Sequence, residues 1–205
     1  MNKTLKIILL VLALLVAVLA VAALRPGQPI AVAVAADVDV PHTSAWRTMR
    51  DLSVAHNYVP GLTATEIITP RREGVGTSRK VYQTGTDYLQ ETVTAWDEGH
   101  GFVIRLHRGE EPMKPFRHAE FHYRMAAVTD RVTQVVLVIQ VEMPFGQLGS
   151  WLGNSFARPA LEGELTRVLA GLKYYYETGE RATDADRERL AGAVEVIPAS
   201  EALES

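Results

Sequence analysis

The sequence predicts an α+β fold: a seven-stranded antiparallel sheet curled around one long C-terminal helix. Three observations point there. From Leu62 to Met143, apolar residues recur at every second position in six successive runs, the period of a half-buried strand. Another β-rich run, Ile30 to Val40, precedes two short helical stretches. The period then changes over Pro159 to Gly179, where Leu161, Leu165, Val168, Leu169, Leu172 and Tyr176 recur at three- and four-residue steps. At about 100° per residue they share one stripe. A sheet with one apolar face and a helix with one apolar stripe each need a cover, and each supplies the other's.

Residues Ile7 to Leu24 are apolar without interruption and follow Lys3 and Lys6. As a helix they extend roughly 27 Å, close to the thickness of a bilayer's hydrocarbon core. Run length and the terminal Arg25-Pro26 favour an uncleaved anchor, and the lysines place its N-terminus in the cytoplasm and the following chain outside it. The alternative is a signal peptide cleaved after Ala20-Val21-Ala22, leaving a secreted domain. Arg25 to Pro29 then forms a linker.

In the first strand Val32, Val34, Val38 and Val40 alternate, and Pro41 ends it. Thr43 or Ser44 is placed to cap a short helix carrying Ala45, Trp46, Met49 and Leu52. A second short helix over Ser53 to Tyr58 runs into the breaker Val59-Pro60-Gly61. The six serial strands are Leu62–Thr69, Thr77–Gln83, Tyr88–Trp96, Phe102–His107, Phe116–Val128 and Val132–Met143. Short connections make neighbours antiparallel. Val135, Leu137, Ile139, Val141 and Met143 form an apolar row on the last strand. Ala119, Phe121, Tyr123 and Met125 do so on the one before, against His118, Glu120, His122 and Arg124. In the closing helix, Pro159 suits the first turn and Gly179 the C-terminal stop. The domains are thus 1–29, anchor (or signal peptide) and linker; 30–179, the sheet-and-helix domain; and 180–205, an acidic tail expected to be flexible with at most a helical turn or two.

Composition narrows the function classes. The chain has 205 residues and a formal charge of −3, which lacks the basic field of a nucleic-acid binder. It contains no cysteine, which removes disulfides and thiolate chemistry. No phosphate loop, nucleophile elbow or H-E-x-x-H motif is present. The Gly74-Val75-Gly76 element enters a strand rather than a helix N-terminus, so it is no phosphate cradle. No cofactor or metal is expected; His118, Glu120 and His122 alternate on the face opposite the apolar row, where a solvated surface accounts for them. The sequence does not define an oligomeric state.

The order of elements, with Val38-Asp39-Val40-Pro41 leading into Ala45-Trp46, then Tyr58-Val59-Pro60-Gly61, Gly74-Val75-Gly76-Thr77, Leu89-Gln90-Glu91 and Leu172-Lys173-Tyr174-Tyr175-Tyr176-Glu177, resembles the START-like (SRPBCC) superfamily, in particular its polyketide cyclase/dehydrase-like branch. The resemblance covers Ile30 to Gly179 and implies the helix-grip fold, with an apolar cavity between sheet and helix that holds lipids, polyketides or other hydrophobic molecules. The inward residues expected to line it include Tyr58, Leu89, Glu91, Phe121 and Tyr123. Leu137 and Ile139 are expected there from the last strand, Leu165 and Leu169 from the helix.

Glu91 is the candidate for chemistry. Leu89 and Val93 flank it at two-residue spacing, so it points inside. A carboxylate there is a polar anchor or a general acid/base, unless it sits at the rim or pairs with an arginine such as Arg105. Trp151, Leu152 and Phe156, in the glycine-rich MPFGQLGSWLGNSF before the long helix, are expected either to form a lid at the cavity mouth, to dip into the bilayer surface, or simply to pack. The expected function is a membrane-tethered, non-enzymatic domain that binds a hydrophobic small molecule or lipid. The alternatives are a cyclase/dehydratase-like enzyme using Glu91, and a protein-interaction module using the acidic tail.

Overall fold

The computed structural model describes residues 3–204; Met1, Asn2 and Ser205, the extreme ends of the anchor and tail segments, lie outside the described residues. Helix α1 (Lys3–Leu24) comes first, then β1 (Ile30–Val38), α2 (His42–Met49) and a 3-10 turn at Leu52–Asn57. Strands β2 (Ala64–Ile67), β3 (Ser78–Tyr82), β4 (Tyr88–Asp97), β5 (Gly101–Arg108), β6 (Glu111–Pro112), β7 (His118–Ala127) and β8 (Thr133–Glu142) follow. The chain then runs through α3 (Gly146–Leu152), a π turn at Gly153–Ala157 and the long α4 (Arg158–Thr178).

The sheet order is β2-β3-β4-β5-β7-β8-β1-β9, with β6 off the path beside β5, and every pairing is antiparallel. The seven expected strands are all present, and two short ones join them. β6 is a two-residue pairing in the loop after β5, and β9 (Glu195–Ile197) adds to the free edge of β1. Runs of two and three residues are too short to carry a readable period.

α4 lies against the inner face of the sheet. Leu165, Val168, Leu169 and Leu172 are buried, and Leu169 and Leu172 belong to one core with Val34 of β1 and Leu137 of β8. Gly179 stops the helix in the left-handed region at φ 75°, where glycine avoids the Cβ clash. Pro159 sits in the first turn of α4, as its missing N–H suits, although the helical path runs on unbroken from α3 through the π turn. The cap of α2 differs from expectation: Pro41, not Thr43 or Ser44, occupies its N-cap.

The segment expected to be a flexible tail carries α5 (Asp184–Leu190), a 3-10 turn at Ala191–Ala193, β9 and α6 (Ala199–Glu204). Arg181 Nη2 donates to the Leu62 carbonyl at 2.6 Å, and Ala182 N to that of Asn57 at 2.9 Å. α6 covers part of the outer face of the sheet, where Ala202 packs with Ala33 and Val138. The charges that make this segment read as solvated are spent locally: Thr183 and Asp186 form a reciprocal capping box for α5.

α1 is apolar and unburied. Its mean hydropathy is 3.4 over an 18-residue window, no part of which is buried. It is not a core helix of the domain, and it is long enough to cross a membrane.

Candidate functional site

The alternation that turns Glu91 inward also turns Arg79 inward, because β3 and β4 pair with Arg79 directly opposite Glu91. Arg79 Nε donates to Glu91 Oε2 at 2.5 Å; the Arg79 side chain is buried and that of Glu91 is 11% exposed. Arg79 Nη1 donates to the Leu52 carbonyl at 2.7 Å, tying the pair to the turn after α2. Glu91 does pair with an arginine, but not with Arg105, the example drawn from the sequence, which lies opposite Glu120 of β7 on the other face. Burial works to lower the Arg79 pKa, but the Glu91 carboxylate and the Tyr58 and Tyr123 hydroxyls outweigh it, and the guanidinium is raised above its ordinary value.

Tyr58 and Tyr123 complete this polar group. Their hydroxyls meet at 3.4 Å. Burial raises both phenol pKa values, so both stay neutral and able to donate. Two hydroxyls joined by one hydrogen bond leave one proton over. Around them the interior is aromatic and aliphatic. Tyr123 stands 4.7 Å from Phe102 and 4.8 Å from Phe121, ring centre to ring centre, and Phe102 stacks on Trp96. Trp96 and Trp46 both donate their indole N–H to Glu98, at 2.9 and 3.1 Å.

The remaining expected residues divide into three groups. Leu137, Leu165 and Leu169 are wholly buried in the layer between sheet and α4. Leu89 is half-buried, and Phe121 and Ile139 keep a little exposure; with half-buried Met113, Phe116 and Leu161 they mark the less tightly closed end of the core. Trp151 stands apart from both groups, exposed on α3. The resemblance implies a chamber between sheet and helix, yet two concave sites lie elsewhere. One of about 500 Å³ opens at the outer side of β4, β5, β7 and β8, lined by Val103, Arg124, Gln134 and Val136 among others. The other, about 420 Å³, lies beside α2 between Arg47, Arg50 and Arg72. Gly171 of α4 leaves no gap for a ligand: a Cβ there would overlap the Tyr58 carbonyl.

His118, Glu120 and His122 do share the outer face. His118 Nε2 lies 3.0 Å from Glu120 Oε1, and His122 is buried. Sequence reasoning missed Arg79, Thr92 and His107. Thr92 Oγ1 stands 2.8 Å from His107 Nε2 and also bonds Ser78 Oγ. His107 Nδ1 donates to the Gly109 carbonyl at 2.6 Å.

A curled antiparallel sheet closed by a C-terminal helix, with two short helical stretches between β1 and β2, defines a helix-grip protein. The chain belongs to the family described as polyketide cyclase/dehydrase and lipid transport, of SRPBCC type, whose model matches residues 29–177. Among solved structures it is similar to the aromatase/cyclase Zhui from Streptomyces sp. R1128, at 15% identity and a TM-score of 0.56, covering 73% of this chain and 94% of that one. A protein from Thermobifida fusca is similar at 18% identity and TM-score 0.57, covering 71% and 92%. Ara h 8.0201 is similar at 14% identity and TM-score 0.54, covering 73% and 98%. These likenesses establish the fold. No curated protein matches the chain.

Proposed function

We propose that this chain is a membrane-tethered domain that binds a hydrophobic small molecule or lipid between its sheet and α4. The observation that carries the reading is the Tyr58–Tyr123 hydroxyl pair, held beside Arg79–Glu91 inside an otherwise aromatic and aliphatic interior. A surplus hydroxyl proton in such a setting suits the one oxygen of a largely hydrocarbon ligand. The match to a family described by lipid transport supports the same class of ligand. The wholly buried Leu137 and Leu169 form the floor, and the half-buried Met113, Phe116 and Leu161 are the side chains a ligand displaces on entry. α1 supplies the tether, with Lys3 and Lys6 keeping its N-terminus cytoplasmic.

The enzyme reading draws less from the geometry. The Glu91 carboxylate is engaged by Arg79 at 2.5 Å, which suits holding a buried cation better than exchanging protons with a substrate. Photolabelling tests the binding reading. The purified full chain is treated with a diazirine fatty acid, and the labelled peptides are identified by mass spectrometry. Adducts within β7, diminished in the Tyr58→Phe/Tyr123→Phe variant, are expected. Labelling confined to α1 would overturn interior binding, since it is what lipid contact with the tether alone produces.

A further inference from the structure

The segment between β8 and α4 is built inside out. In α3 and the π turn, Gly149, Ser150 and Gly153 face the protein and are buried. A Cβ on Gly149 would overlap the Pro144 carbonyl, and one on Gly153 the side chains of Ile30 and Met143. The bulky residues point the other way: Phe145, Trp151 and Phe156 are 69%, 65% and 75% exposed, and Leu152 is 40%. Large apolar side chains grouped on one exposed side mark a surface that something apolar covers.

Its attachment identifies the cover. Gln147 N donates to the Arg25 carbonyl at 3.1 Å, and Ser150 Oγ to that of Gln28 at 2.8 Å. A Cβ on Gly146 would overlap the carbonyls of Ala23 and Arg25, so α3 is locked against the last turn of α1. Where α1 crosses a bilayer, that last turn lies at the membrane surface, and α3 lies there with it. From Met143 to Leu161 the sequence has no acidic residue. Each polar side chain of the π turn donates one hydrogen bond back to the helix, Asn154 Nδ2 to the Ser150 carbonyl and Ser155 Oγ to that of Trp151, both at 3.0 Å. Aromatic residues with a polar edge favour the headgroup level, and an apolar helix face buries about 5–10 Å into it.

We infer that α3 and its π turn are a bilayer-seating surface: Phe145, Trp151, Leu152 and Phe156 enter the leaflet from which α1 emerges and fix how the domain stands on the membrane. The inference rests on the tether reading. It also orients the core. Gly153 abuts Ile30, the first residue of β1, and Arg117 N donates to the Glu142 carbonyl at the end of β8. The loop bearing Met113 and Phe116 is therefore at the same end, and seating brings the less tightly closed part of the interior to the lipid.

The absence of cysteine makes the test specific. Full-length Phe156→Cys, carrying an environment-sensitive fluorophore at position 156, is reconstituted into phosphatidylcholine–phosphatidylglycerol vesicles. Val128→Cys is the control, in the turn at the far end of ten-residue strands β7 and β8, roughly 33 Å away at about 3.3 Å per residue. Emission from position 156 should shift to the blue and be quenched several-fold more than the control by lipids spin-labelled near the headgroup. The control should be quenched by aqueous iodide instead. If the sample floats with the vesicles while position 156 stays as wet as position 128, seating is overturned and the tether stands. A dry position 156 that spin-labelled lipid does not quench also overturns it, because protein then covers the patch. Failure to float overturns the tether and the seating together.

Discussion

Arg79 and Glu91 face each other across β3 and β4 at 2.5 Å, an ion pair on the inner face with Arg79 buried and Glu91 largely so. Removing one member strands the other in a low-dielectric interior. Arg79→Met is expected to lower stability by about 3–5 kcal/mol. Arg79→Met/Glu91→Leu, which replaces the pair by apolar residues, should recover most of that loss. Urea denaturation of the full chain in detergent micelles compares them. A double variant no better than the single one would mean that the two residues are not energetically coupled.

Two glycines of α4 offer a matched contrast. A Cβ at Gly163 would meet open space, whereas one at Gly171 would overlap the Tyr58 carbonyl and crowd Arg187. Gly163→Ala should therefore gain about 1 kcal/mol from helix propensity alone. Gly171→Ala should lose stability despite the same gain, since backbone atoms must move apart. The sign of each change in denaturation midpoint checks this.

Much of the fold is legible because a period needs no knowledge of neighbours. Phe121 and Tyr123 declare the inner face of β7, and Leu89 and Val93 declare that Glu91 points inward. The partner of Glu91 is a matter of register. Arg79 sits beside Lys80 in a five-residue strand whose one aliphatic residue is Val81, so adjacent cations read as a wet surface until β4 is laid against β3. The tail misleads for a related reason. Its Thr183-x-x-Asp186 spacing is a helix-start signal that was there to read, but β9 is three residues long and gains meaning only beside β1. Alternation also tells which side chains point inward and not how closely they pack, so an open chamber could not be read from it.

Arg187 of α5 is buried, and its Nε and Nη2 donate to the Tyr58 carbonyl at 3.3 and 3.2 Å while Nη1 reaches Asp184 at 3.2 Å. The residue closes the back of the site from a segment that looks dispensable in sequence. Arg187→Met should cost about 1.5–3 kcal/mol, the range for hydrogen bonds made by a charged group. Truncation after Gly179 should cost more, since it also removes β9 from the edge of β1 and α6 from Ala33 and Val138. A truncated chain as stable as the full one would show that these contacts contribute nothing.

His122 lies on the outer face of β7, opposite Val103 on β5 and Val138 on β8. Among the described residues neither ring nitrogen has a hydrogen-bond partner. Burial lowers its pKa from the ordinary 6.5; Glu120, 3.9 Å away, opposes the shift and Arg124 adds to it. His56 is lowered too, by burial and then by Arg181. A folded pKa below the unfolded one means that the unfolded chain takes up the proton first. The stabilisation is complete above about pH 6.5 and is lost as pH falls from there toward the depressed folded value. Thermal midpoints should therefore decline as the solution is acidified through this window. His122→Phe should flatten the decline in part, leaving the share of His56, and His56→Gln should remove more. A profile unchanged by His122→Phe would assign the acid sensitivity to other groups.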